Sequence, residues 1–310
     1  MFFWGYVMAQ RQDARQNDFQ IIVGDSRKVL AKLPRNTFQC AITSPPYWGL
    51  RDYGIEGQIG AEMAMEDYIS HLVDVFREVN RALRDDGTLW LNIGDSYTSG
   101  NRGWRQPDGK NAARGMTWRP PNPKGLKDKE LIGIPWRVAM ALQADGWYLR
   151  SDIIWYKPNC QPESVKDRPT RSHEHVFLLT KNEDYYYDSE AVKEPANVDG
   201  QLRNCRDVWS INTESNKEAH FAMFPPSLVK VCMKAGSAKG SAVLDPFFGA
   251  GTVGVVAMEL GRSCVGIELK PEYAEIARKR LISITPVLIP EPSAGSSKRH
   301  GLRSSSCRDA

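Results

Sequence analysis

Val243-Leu244-Asp245-Pro246-Phe247-Phe248-Gly249-Ala250-Gly251-Thr252 is the stretch on which the fold of this chain turns. A short apolar run ends in an acid, and a turn with two glycines leads into a helix over Val253 to Leu260. Glycines let a backbone turn sharply and let a ligand approach where a Cβ would collide. The free N–H groups at the following helix start favour a carboxylate or a phosphate. A further strand, Cys264 to Ile267, is closed by Glu268, 19 positions after Gly249. A carboxylate there can accept hydrogen bonds from both hydroxyls of a ribose. A second helix, Glu272 to Ile282, follows.

Gly249, Gly251 and Gly254 also satisfy GxGxxG, and an acid near that distance belongs to the dinucleotide fingerprint. On this evidence a nicotinamide enzyme and an S-adenosylmethionine enzyme stand level. Two features tilt the choice to the second. The fingerprint lies near the C-terminus instead of opening the chain. Asp245-Pro246-Phe247 also places a carboxylate where it can hold a methionine ammonium group. A hydride-transfer partner site is not visible.

Working outward, short apolar runs alternate with amphipathic segments, the pattern of strand–helix units around a mainly parallel sheet. Phe19 to Val23 and Cys40 to Thr43 read as strands. Tyr68, Leu72, Val75, Phe76, Val79 and Leu83 recur at helical spacing, Asp86-Gly87 stops that helix, and Thr88 to Ile93 is the next strand. A helix over Pro135 to Ala144 follows, with strands over Tyr148 to Tyr156, Val176 to Thr180 and Ala242 to Leu244. Residues 1–18 read as an N-terminal extension, 19–285 as one catalytic domain and 286–310 as a disordered tail.

Thr43-Ser44-Pro45-Pro46-Tyr47-Trp48 directly follows a strand. Two prolines give a stiff loop without N–H donors, so its carbonyls remain free to accept. An aromatic beside such a loop suits stacking on a flat ring. These are the requirements for methylating an amino group on a base, whose lone pair is delocalised into the ring and is weakly nucleophilic. Ser44 and the Pro45 carbonyl can accept the two N–H groups and restore lone-pair density. Tyr47 can hold the base by stacking, worth roughly 1–3 kcal/mol, once it has left the helix stack.

With both loops in place, the chain resembles the amino-methyltransferases of DNA, in the β-class order, where the catalytic loop precedes the cofactor loop. The resemblance covers about Phe19 to Leu281. It implies an α/β fold, a circularly permuted Rossmann-like sheet with helices on both faces and a small irregular target-recognition region. It implies S-adenosylmethionine as cofactor and Ser44, Pro45, Pro46 and Tyr47 as the catalytic loop. Gly24-Asp25 is similar to the family's acidic contact to the adenine amino group. His220 to Val229 resembles the block around the methionine end, with Phe224 and Pro225 as contacts. Asp245, Pro246, Phe247, Gly249, Gly251 and Thr252 match the cofactor turn, and Glu268 the ribose carboxylate. The segments IPWRVAMALQADGWYLRSDIIWYKPN and RPTRSHEHVFLLTK resemble blocks that shape the base pocket. A first loop residue of Ser favours cytosine N4, with adenine N6 as the alternative. The target-recognition region, residues 181–219, is short for the family.

Charge adds a location for DNA. The net charge is only +4, yet residues 100–129 hold eight basic residues against two acids. This basic insert, 98–130, is too long for a passive connection and suits phosphate contact. Arg102, Arg105, Lys110, Arg114 and Arg119 within it, and Arg51, Lys157 and Arg171 outside it, are the expected DNA contacts. Trp104 and Trp118 either wedge into the gap left by a flipped base or pack the loop down.

Six scattered cysteines without a CxxC pair indicate neither zinc nor a disulfide framework. None follows a proline, which argues against cytosine-C5 chemistry. His173 and His175 flank Glu174 at strand spacing with no third ligand near, so pocket lining is expected and no metal. The chain shows no apolar run of spanning length and no signal peptide, so a cytoplasmic protein is expected, a monomer or homodimer without membrane contact. Its partners would be double-stranded DNA and a restriction endonuclease sharing its site, unless it is an orphan or phage methylase. An RNA or protein-amide methyltransferase, and a nucleic-acid-binding module with a vestigial cofactor pocket, are the competing readings.

Overall fold

The computed structural model describes residues 19–50, 54–55, 57–98, 120–214 and 224–284. The N-terminal half runs β1 (Phe19–Val23), α1 (Ser26–Leu30), β2 (Phe38–Thr43), α2 (Met65–Ala82), β3 (Leu83–Ile93), α3 (Ile134–Ala144), β4 (Tyr148–Tyr156) and β5 (His173–Thr180). Three short strands follow: β6 (Glu194–Pro195), β7 (Leu202–Arg203) and β8 (Val208–Ser210). The chain closes with α4 (Pro226–Gly236), β9 (Ala242–Asp245), α5 (Thr252–Glu259), β10 (Ser263–Glu268) and α6 (Pro271–Ile284).

The main sheet has eight strands in the order β1-β10-β9-β2-β3-β5-β4-β8. The first five are mutually parallel, and β5 is antiparallel to both β3 and β4. The C-terminal strand β9 thus lies beside the early strand β2, which is the permuted order expected from the sequence. Strand β2 is buried along its whole length, as a central parallel strand covered on both faces must be. Tyr68, Leu72, Val75, Phe76 and Val79 of α2 are fully buried against one face. Glu66 and Asp67 in its first turn and Arg81 in its last complement the helix dipole. The other face carries α4, α5 and the aromatic group Trp90, Trp155 and Trp209.

Two departures from the sequence reading have local causes. Helix α2 ends at Ala82, before Asp86-Gly87, because Leu83 already pairs with Phe38. The register then shifts until Thr88 pairs with Cys40, and Asp86 is held by Gln39 Nε2 (3.1 Å) and Tyr186 N (2.9 Å). The second concerns residues 181–219. Part of this stretch forms the two-stranded β6–β7 ribbon, but β8 extends the main sheet beside β4, and Trp209 stacks on Trp90 at 6.2 Å. Among the described residues no helix is long and apolar enough to cross a membrane.

Candidate active site

Strand order reverses between β9 and β2, and open α/β sheets bind ligands beyond the strand ends at such a point. Here Thr43, the last residue of β2, donates its hydroxyl to Asp245 Oδ1 of β9 at 2.7 Å. The Phe247 N–H donates to the same oxygen at 3.0 Å. Asp245 is only 1% exposed and has no cation beside it among the described residues, so burial pushes its carboxyl up to about 7. Glu268, at the end of β10, accepts the Gly249 N–H at 2.7 Å and the Lys270 N–H at 2.8 Å. Burial raises its carboxyl too, against those hydrogen bonds. Gly249 has φ +53°, with open space where a Cβ would stand. A buried and a half-buried carboxylate therefore stand at the ends of β9 and β10, the second bound to the glycine over which that space opens.

The other expected cofactor residues lie around this cradle. Pro225 precedes α4 in extended conformation, and Phe224 packs on the cluster that includes Phe248 and Val253. Thr252 opens α5 after Gly251, whose φ is +79°. Ser26 donates its hydroxyl to the Pro246 carbonyl and so ties the β1 turn to the cofactor turn. Asp25 caps α1 through the Arg27 N–H (2.9 Å) and pairs with the Arg27 guanidinium at 2.8 Å. Burial opposes its ionisation, but Arg27 outweighs it and holds the carboxyl below the usual range. Contact with an adenine amino group must share Asp25 with Arg27.

The loop expected to be catalytic starts one residue beyond Thr43. The Pro46 carbonyl accepts the Tyr68 hydroxyl at 2.9 Å, and the Tyr47 carbonyl accepts the Leu50 N–H at 3.2 Å. Among the described residues the Pro45 carbonyl has no hydrogen-bond donor. The Tyr47 hydroxyl donates to Glu174 Oε2 at 2.8 Å and accepts from Ser44 Oγ at 3.4 Å. Asn92 Nδ2 donates to the same Glu174 oxygen at 3.1 Å, and Lys157 Nζ pairs with the other. Burial pushes Glu174 up, yet Lys157, Tyr47 and Asn92 outweigh it and keep the carboxyl below the usual range. Burial and the Glu174 charge hold the Tyr47 phenol well above its usual value, so it stays a hydroxyl.

Of the expected DNA contacts, Arg51, Arg102, Arg105, Lys110, Arg114 and Arg119 lie outside the described residues. Lys157 falls in the catalytic cluster, its ammonium engaged by Glu174 and 4.2 Å from the Trp155 ring centroid. Arg171 lies near the Tyr97 ring, which Arg168 covers at 3.9 Å, and its buried Nη1 has no hydrogen-bond partner among the described residues. His175 faces away from the loop, with Nδ1 2.8 Å from Asp152 and its ring stacked on Phe177.

Asn92 and Glu174 are not singled out by motif, although strand alternation marks them. Ile42, Trp90, Trp155 and Val176 point into one core cluster. Two residues further toward the site from each stand Ser44, Asn92, Lys157 and Glu174. The polar cluster is thus the rim of an otherwise apolar face.

Comparison with known proteins gives the family. A family model described as DNA methylase matches residues 38–279. The type II methyltransferase M.SmaI of Serratia marcescens is 62% identical over 265 residues, covering 85% of this chain and 90% of that one. M.Cfr9I of Citrobacter freundii is 60% identical, covering 86% and 88%. Among solved structures, the cytosine-N4-specific PvuII DNA methyltransferase superposes with a TM-score of 0.64 at 22% identity, covering 86% of each chain. The protein TTHA0409 of Thermus thermophilus, solved with S-adenosylmethionine, gives 0.61 at 25% identity, covering 86% and 95%. With its acceptor loop joined to its cofactor turn through Thr43, this chain belongs to the DNA methylase family.

Proposed function

We propose that this chain methylates the N4 amino group of a flipped cytosine at a short site in double-stranded DNA, using S-adenosylmethionine. The observation that carries the reading is the Thr43–Asp245 hydrogen bond, 2.7 Å long. It fixes the loop that accepts an amino group against the turn that would hold the methyl donor. The donor set suits that cofactor: Asp245 for the ammonium, Glu268 for the ribose hydroxyls, Asp25 for the adenine side, and open space over Gly249. When bound, it supplies an electrophilic methyl group on a sulfonium.

Ser44 supports cytosine N4 as the target, because a neutral hydroxyl opens the loop in place of a carboxylate or amide. Ser44 and the Pro45 carbonyl accept the two N–H groups and direct the nitrogen lone pair, and the Tyr47 ring holds the base. Proximity and fixed acceptors supply most of the acceleration. The basic insert supplies phosphate contacts. The type II names of the relatives support a place in a restriction–modification pair. Incubation with methyl-labelled cofactor is expected to mark duplex DNA. Label on RNA or protein with none on DNA overturns the reading.

Asp245 gives this function a pH dependence. Its ionised form holds an ammonium, and with a value of about 7 it is mostly protonated at pH 6. Cofactor affinity is expected to rise close to tenfold between pH 6 and 7.5, and calorimetry should record proton release near pH 7. The Asp245→Asn protein should lose that dependence. For the protein alone the sign reverses. A carboxyl raised above its unfolded value of 3.8 stabilises the fold while protonated. That contribution is complete below pH 4 and fades as the pH rises through 7. Affinity flat from pH 6 to 7.5 contradicts the assignment.

A further inference from the structure

Resting on the amino-methylation reading, we infer that Glu174 is a positioning residue that sets the hydrogen-bond direction of the catalytic loop. A hydroxyl both donates and accepts, so Ser44 can accept a substrate N–H only if its own hydrogen points elsewhere. An ionised carboxylate only accepts. Glu174 Oε2, 2.8 Å from the Tyr47 oxygen, therefore takes the single phenolic hydrogen. The competing acceptor, Asn92 Oδ1, is neutral and 3.5 Å away, so it loses the hydrogen to the charged oxygen at 2.8 Å. Tyr47 is left with lone pairs only, and Ser44 Oγ donates to it. The direction runs from Ser44 to Tyr47 to Glu174, leaving the Ser44 lone pairs to the base amino group.

The remaining contacts make this direction the stable one. Asn92 is itself anchored, with Nδ2 3.1 Å from both Glu174 Oε2 and the His175 carbonyl. Lys157 occupies Oε1, so Glu174 stays charged and cannot turn. The Ser44–Tyr47 distance of 3.4 Å is long, and such bonds in catalytic sites shorten when substrate enters. A glutamine at position 174 breaks the rule. Its carbonyl oxygen is drawn to Lys157, its amide donates to Tyr47, and the phenolic hydrogen swings toward Ser44. The Ser44 hydrogen then faces the amino group it should accept from.

The test is a set of single-turnover methyl-transfer rates at saturating DNA and cofactor. Glu174→Gln and Tyr47→Phe should each slow transfer about tenfold to a hundredfold, less than loss of a direct contact, with unchanged affinity for both substrates. Because the effect passes through the phenolic hydroxyl, the double variant should match Tyr47→Phe within about twofold. Losses that multiply, or a Glu174→Gln enzyme as fast as the parent, overturn the inference. If Glu174→Gln does not fold, Glu174→Gln with Lys157→Met replaces it. There the amide oxygen is free to face Tyr47, so at least a third of the parent rate is expected, by the same argument. A folded pair as slow as Ser44→Ala overturns the inference. The methylation reading is judged separately, by whether the parent marks DNA and whether Ser44→Ala stops it.

Discussion

Ser44→Ala is expected to lower kcat for DNA methylation by about 10²–10³, in the range for removal of one fixed polar group from a reacting centre, while KM stays within about twofold. The split follows from when the contact strengthens. In the ground state a cytosine amino group is planar, and its N–H groups are ordinary donors. As the nitrogen attacks, positive charge develops on it and both N–H groups become more acidic. The Ser44 acceptor is therefore worth most at the transition state, and its loss appears in kcat. Alanine keeps the two prolines and the Thr43–Asp245 bond, so both substrates still bind. Steady-state kinetics on a single-site duplex measures this. An unchanged kcat with a raised KM places Ser44 in binding alone.

The largest stability effect is expected at Phe248, below the cofactor turn. Its side chain is nearly buried, and a Cβ at Gly266 would lie 2.2 Å from its ring, one at Gly254 2.8 Å. Both glycines are present because the ring fills the space a side chain would take. Phe248→Ala should cost about 3–5 kcal/mol, the usual penalty for emptying a buried aromatic site, and lower Tm by roughly 10 °C. Gly266→Ala should cost about 1–3 kcal/mol by overpacking. The pair should be more stable than the sum of the two losses, because the new methyl enters the vacated space. Thermal melting of the three variants decides it. Strict additivity means that ring and glycine do not share the site.

Much of this is legible in residue order. The glycine turn at Gly249 and Gly251, the acids Asp245 and Glu268, and the loop at Ser44 are enough to specify the permuted α/β sheet. Helical spacing places α2, because its buried face repeats every three to four residues. Its end is not legible, since a Leu83 pairing with a strand 45 positions earlier leaves no local trace. The short strand β8 escapes for the same reason: three residues carry no period, and Trp209 is ordered by a distant Trp90. Within the site, Lys157 reads as a surface cation because nothing local reveals that Glu174, 17 positions away, neutralises it. Alternation on four strands finds the pair, but only with the strand order known.

The central claim is that an amino group on cytosine is the acceptor, and nucleoside analysis tests it most directly. DNA from cells expressing the protein, digested and resolved by mass spectrometry, is expected to contain N4-methylcytosine at a level set by one short recurring site. The same DNA from cells expressing Ser44→Ala should contain far less, in line with the lowered kcat. N6-methyladenine or 5-methylcytosine in its place, dependent on the intact protein, would contradict the account.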